Sequence, residues 1–62
     1  VTPQEFDGEL VRLGFRQTAM TAGLLRRWIH ASGEVRWIMD PQYLLAERRA
    51  GYIATVRRSI GL

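Results

Sequence analysis

Without a single cysteine in 62 residues, the chain has to hold its fold together by apolar packing, or by packing plus a partner. A domain this short buries only about 60% of the surface that its unfolded chain exposes, so a few large side chains must carry the core. Residues 1–62 are therefore expected to form one small domain with a thin margin of stability, as a homo-oligomer or with a protein partner. Neither a disulfide framework nor a thiolate zinc site is available. His30 is the only histidine, and no carboxylates recur around it at ligand spacing, so no metal and no cofactor are expected. No apolar run approaches the roughly 20 residues needed to cross a bilayer, and the N-terminal residues lack a basic-then-apolar layout. These features predict a cytoplasmic protein without membrane contact.

The formal net charge is +3, and all nine basic residues are arginine. Glu5, Asp7 and Glu9 gather at the start, which leaves the remainder more basic than the net figure. Such an excess suits nucleic acid or an acidic protein surface. Arginine grips phosphates and carboxylates in bidentate fashion. Abundant Ala, Gly and Arg beside an absence of Asn is equally the mark of GC-rich coding, so arginine usage alone assigns no partner.

Local patterns predict mostly helix. Thr2, Pro3 and Glu5 form a capping box with proline at the first helical position, and Phe6, Leu10 and Leu13 recur at helical spacing up to Gly14. A helix is expected from about Pro3 to Leu13. From Arg16 to about Ala31, Met20, Leu24 and Trp28 fall on one line at i, i+4 and i+8, with Arg16, Arg26, Arg27 and His30 opposite and Gly23 as an internal weak point or turn. From Glu34 to Asp40 the residues alternate as in a strand, and folding about Ser32-Gly33 would set Trp28 against Trp37. That hairpin breaks the Met20, Leu24, Trp28 line and is barely stable by itself, so a short helix or irregular bridge is preferred. Asp40 and Pro41 read as the cap of a last helix running to about Ile60, with Leu45, Tyr52, Ile53, Val56 and Ile60 on one face. Arg49 falls inside that face, either with its stem packed and its head in solvent or paired with an acid of the first helix or a partner.

Catalytic readings find little support. His30 with Ser32 or Ser59 and Glu34 supplies the residue types of a nucleophilic triad without the strained elbow or oxyanion hole that such chemistry needs. Glu5, Asp7 and Glu9 are helix-start residues, and no glycine-rich phosphate loop is present. The chain is expected not to be an enzyme. What remains is the basic face made by Arg16, Arg27 and His30, with Arg26 at its edge, which would meet a run of phosphates.

The segments "TPQEF" and "LVRLGF", then Gln17 and "RRWIHASGEV", resemble the small phage-type helix-turn-helix regulators across about the first half of the chain. The resemblance implies an all-helical DNA-binding regulator of transcription. It places Gln17 near the phosphates, Gly23 at the turn, Arg26 and Arg27 on the DNA-facing helix and Trp28 packed behind it. The combined expectation is an all-α domain of three main helices with a short fourth element before Asp40, binding DNA through Arg16, Gln17, Arg26, Arg27 and His30. The competing expectation is a non-enzymatic helical interaction module, an adaptor or dimer, that uses Trp37, Arg49, Tyr52, Ile53 and Val56 to bind protein.

Overall fold

The structure, a computed structural model, describes residues 1–61. Its elements are α1 (Pro3–Arg12), β1 (Phe15–Ala22), β2 (Leu25–His30), β3 (Val35–Met39), a single 3₁₀ turn at Pro41–Tyr43 and α2 (Ala46–Ser59). The strands form one antiparallel sheet in the order β1-β2-β3, and both helices pack on one of its faces.

This α+β architecture overturns the all-α expectation. The stretch expected as a second helix from Arg16 to Ala31 is a hairpin, and Glu34 to Asp40 supplies a third strand in place of a short helix or bridge. With it falls the helix-turn-helix layout, because neither a helix opened by Gln17 nor a recognition helix bearing Arg26 and Arg27 exists. That layout is the one which the resemblance to phage-type transcription regulators implied.

α1 forms as its residues dictate. The Thr2 hydroxyl accepts from the Glu5 N–H at 3.1 Å, and the Thr2 N–H donates to Glu5 Oε1 at 2.8 Å. The bond from the Thr2 N–H to the carboxylate, supported by the Thr2 side chain, favours the ionised form and holds the Glu5 pKa below its ordinary value. Phe6 and Leu10, one turn apart, are fully buried.

Two glycines make the hairpins. Gly23 has φ +60°, and with Leu24 it closes β1 onto β2 in a two-residue loop, the place where a left-handed first position is required. Gly33, at φ +91°, completes the three-residue loop between His30 and Glu34, where His30 N–H donates to the Glu34 carbonyl at 2.8 Å. β1 also carries a bulge: the register jumps between Gln17↔Trp28 and Thr21↔Arg26. There the Thr18 hydroxyl donates to the Arg27 carbonyl at 3.2 Å and accepts from the Met20 N–H at 3.3 Å, replacing the missing ladder partner.

Strand alternation sends Trp28 toward the helices, into a core with Phe6, Leu10, Phe15 and Ile38, against which Tyr52, Ile53, Val56 and Ile60 of α2 pack. The β2–β3 register is Arg27↔Trp37 and Trp28↔Arg36, one residue away from a Trp28–Trp37 pairing. The two tryptophans therefore lie on opposite faces. Met20 and Leu24, read as helical partners of Trp28, are 56% and 50% exposed. Asp40 and Pro41 do cap a turn, with Gln42 N–H donating to Asp40 Oδ1 at 3.2 Å, but it is the 3₁₀ turn. The chain then re-extends through Leu44 and Leu45, and α2 begins at Ala46.

The Trp28 indole N–H has no hydrogen-bond partner among the described residues, so its contribution is ring burial. Trp28→Ala is expected to cost about 3–5 kcal/mol, and Trp28→Phe a clearly smaller amount because a large ring is kept and no hydrogen bond is lost. Urea unfolding of the two variants checks this ordering.

Candidate functional site

The sheet has one face covered by helices and one face without them. In β2 the alternation divides two adjacent arginines between these faces. Arg26 points with Trp28 and His30 toward the helices, and Arg27 points with Leu25 and Ile29 to the open side. Pairing adds Arg16 opposite Ile29, Trp37 opposite Arg27, Val35 opposite Ile29, and Ala22 and Met39 opposite Leu25. The open face therefore carries an aromatic ring, two guanidinium groups and an apolar floor, and no carboxylate stands at any of its strand positions.

Trp37 is 43% exposed and lies directly across from Arg27. Arg27 Nη1 approaches Met20 Sδ at 3.7 Å, which leans the guanidinium along the sheet. Arg16 is exposed and borders a shallow depression with Ile29, His30, Ala31 and Gly33. Neither Arg16 nor Arg27 forms an ion pair among the described residues. Their charges are thus available to an anion from outside.

The other expected contact residues stand elsewhere. Gln17 is exposed, in register with Trp28 on the opposite side of β1 from Arg16. Arg26 is engaged internally: its Nη2 and Nη1 donate to the two Asp7 carboxylate oxygens at 2.5 and 3.2 Å. Its Nε lies 3.7 Å from Asp40 Oδ2, and its guanidinium carbon stands 5.3 Å from the Trp28 ring centre. The hydrogen bonds that Arg26 donates to Asp7 outweigh desolvation, and with the charges of Asp7 and Asp40 they raise the Arg26 pKa further above its already high value. His30 is equally occupied. Nε2 lies 2.8 Å from the Leu13 carbonyl and so carries the proton, while Nδ1 accepts from the Ser32 N–H at 3.2 Å. Its ring meets Phe15 edge-on at 4.9 Å between centroids.

Of the residues expected to bind a protein partner, only Trp37 stands on the open face. Arg49 ties three parts of the chain together, with Nε donating to the Pro41 carbonyl at 2.9 Å and Nη1 to the Val1 carbonyl at 3.0 Å. Tyr52, Ile53 and Val56 are half-buried against the core, and the Tyr52 hydroxyl accepts from the Met39 N–H at 3.1 Å. The alternation of Val35, Trp37 and Met39 was the signal in the sequence that put these three residues on one face of a strand, while the place of Trp37 beside Arg27 follows from the register.

Among the described residues no cluster of His, Cys, Asp or Glu is placed to hold a metal ion, and no helix is long and apolar enough to cross a membrane. No family model matches the chain, and no curated protein or solved structure matches it either.

The Arg26–Asp7 pair joins β2 to α1 where the Arg26 side chain is only 11% exposed. Removing either partner is expected to cost about 1–3 kcal/mol, since the survivor loses a charge-assisted bond in a partly dry setting. A double-mutant cycle on Arg26→Ala and Asp7→Ala should return a coupling of at least about 0.5 kcal/mol. Additive effects would place the contribution of Arg26 in its stacking on Trp28.

Proposed function

We propose that this chain binds nucleic acid through the open face of its sheet, with single-stranded DNA as the form that fits. The observation that carries the reading is the placement of Trp37 directly across from Arg27, with Arg16 on the same face and no carboxylate among them. An exposed indole offers a stacking platform for an unpaired base, and flanking arginines neutralise the phosphates on either side. A flat sheet face presents no helix to a major groove, so unpaired bases suit it better than a duplex. The net charge of +3 supports approach to a polyanion. The same face also carries Leu25, Ile29, Val35 and Met39, and this apolar floor favours a second reading in which the face docks a protein.

Fluorescence anisotropy with labelled mixed-sequence single-stranded and duplex DNA, at low and near-physiological salt, separates these readings. The single strand is expected to bind more tightly and to quench tryptophan emission. Changing Arg16 and Arg27 together to alanine should flatten the slope of log affinity against log salt by about 1.4, since each phosphate contact on a single strand contributes about 0.7. Trp37→Ala should weaken binding by about 1–3 kcal/mol with the fold intact. No affinity at low salt, or a slope unmoved by the double change, would give the face to a protein.

A further inference from the structure

The two edges of the sheet are unlike. β1 is interrupted by its bulge between Gln17 and Thr21, a device that blunts an edge against further pairing. β3 runs without interruption from Val35 to Met39. Its ladder to β2 uses the even-numbered residues: Glu34 accepts from His30, and the Asp40 N–H donates to the Leu24 carbonyl at 2.9 Å. The peptide groups of Val35, Trp37 and Met39 therefore point away from β2. The Met39 N–H is taken by the Tyr52 hydroxyl. Among the described residues those of Val35 and Trp37 have no partner from α2: a cleft of about 310 Å³, lined by Ile38, Tyr52, Thr55 and Val56 among others, lies between strand and helix, bridged where Arg36 donates to the Ser59 hydroxyl and carbonyl at 3.3 Å.

Beside these unpaired groups the side chains read Glu34-Val35-Arg36, with Glu34 Oε1 3.0 Å from Arg36 Nη2. In an antiparallel pair this triplet is its own complement. We infer that β3 pairs with β3 of a second copy of this chain, about a two-fold axis at Val35, to make one continuous six-stranded sheet. In that register Val35 exchanges both backbone bonds with its symmetry mate, and Glu34 stands opposite Arg36 of the second copy twice over. Gly33 of the second copy, a turn residue whose N–H is held by the His30 carbonyl at 2.8 Å, faces Trp37 without a side chain to obstruct the indole, so the backbone bonds of the new ladder are those of the Val35 pair. Moving the axis to Arg36 sets that arginine against itself, and moving it to Trp37 sets Glu34 against Asp40, so charge selects the register. Among the described residues five buried side chains form the core, and the added ladder supplies cohesion that they lack.

Sedimentation equilibrium over a wide concentration range tests this, with circular dichroism reporting the fold of each variant. The wild-type chain is expected to dimerise reversibly. Val35→Pro removes an outward N–H that the β2 ladder does not use, so it should weaken the dimer about tenfold or more while the sheet survives. Arg36→Glu should weaken it similarly by setting Glu34 against a like charge. Combining it with Glu34→Arg restores complementarity and should recover dimerisation, and this charge swap decides the matter if the proline variant does not fold. A wild-type chain that stays monomeric at its highest soluble concentration, or a dimer indifferent to Arg36→Glu, overturns the inference.

Discussion

Trp28 sits at the middle of the central strand with 1% of its surface exposed, and its direction sets the direction of everything around it. Strand side chains alternate, so turning this ring toward α1 and α2 also turns Arg26 and His30 inward and Arg27 outward. A slip of one residue would reverse all of them and leave an indole in water with an arginine in the core. The same register, carried to β3, puts Ile38 beneath the helices and Trp37 on the open face.

Adjacent arginines consequently do different work. Arg26 spans Asp7 of α1 and Asp40 at the start of the 3₁₀ turn while lying over Trp28, so it joins three elements around the core. Arg27 makes no ion pair among the described residues and shares its side of the sheet with Trp37. Composition counts these two residues alike. Only the pleat of the strand separates a residue that holds the fold from one that offers charge to a ligand.

Where local chemistry determined structure, the sequence was legible. The Thr2–Glu5 capping box and the Phe6, Leu10 spacing identify α1 because each feature acts within a turn of helix. The Asp40-Pro41 cap was readable but was assigned to the last helix, whereas it starts the 3₁₀ turn and the extended Leu44 and Leu45 delay α2 to Ala46. The middle misled for a physical reason. Met20, Leu24 and Trp28 match a helical line, yet Met20 lies on β1 and Leu24 in the hairpin turn itself, both in water. The bulge at Thr18 erased the alternation that would have revealed β1, and a hydroxyl bond formed only across strands stabilises it. Strand periodicity at Val35, Trp37 and Met39 was visible. Its weakness in isolation was the argument against it, and β1 supplies the missing third strand. For the site, Arg16, Arg27 and Trp37 were readable as residues of interest, but bringing them onto one face required the register.

The arrangement rests on pairing β2 to β3 one residue away from a Trp28–Trp37 match, and Hα–Hα nuclear Overhauser effects read that register directly. In an antiparallel ladder, residues facing one another in non-hydrogen-bonded pairs bring their Hα atoms closest. Strong cross-peaks are expected for Leu25–Met39, Arg27–Trp37 and Ile29–Val35. A strong Trp28–Trp37 cross-peak, or the i to i+3 contacts of a helix between Arg16 and Ala31, would contradict the account.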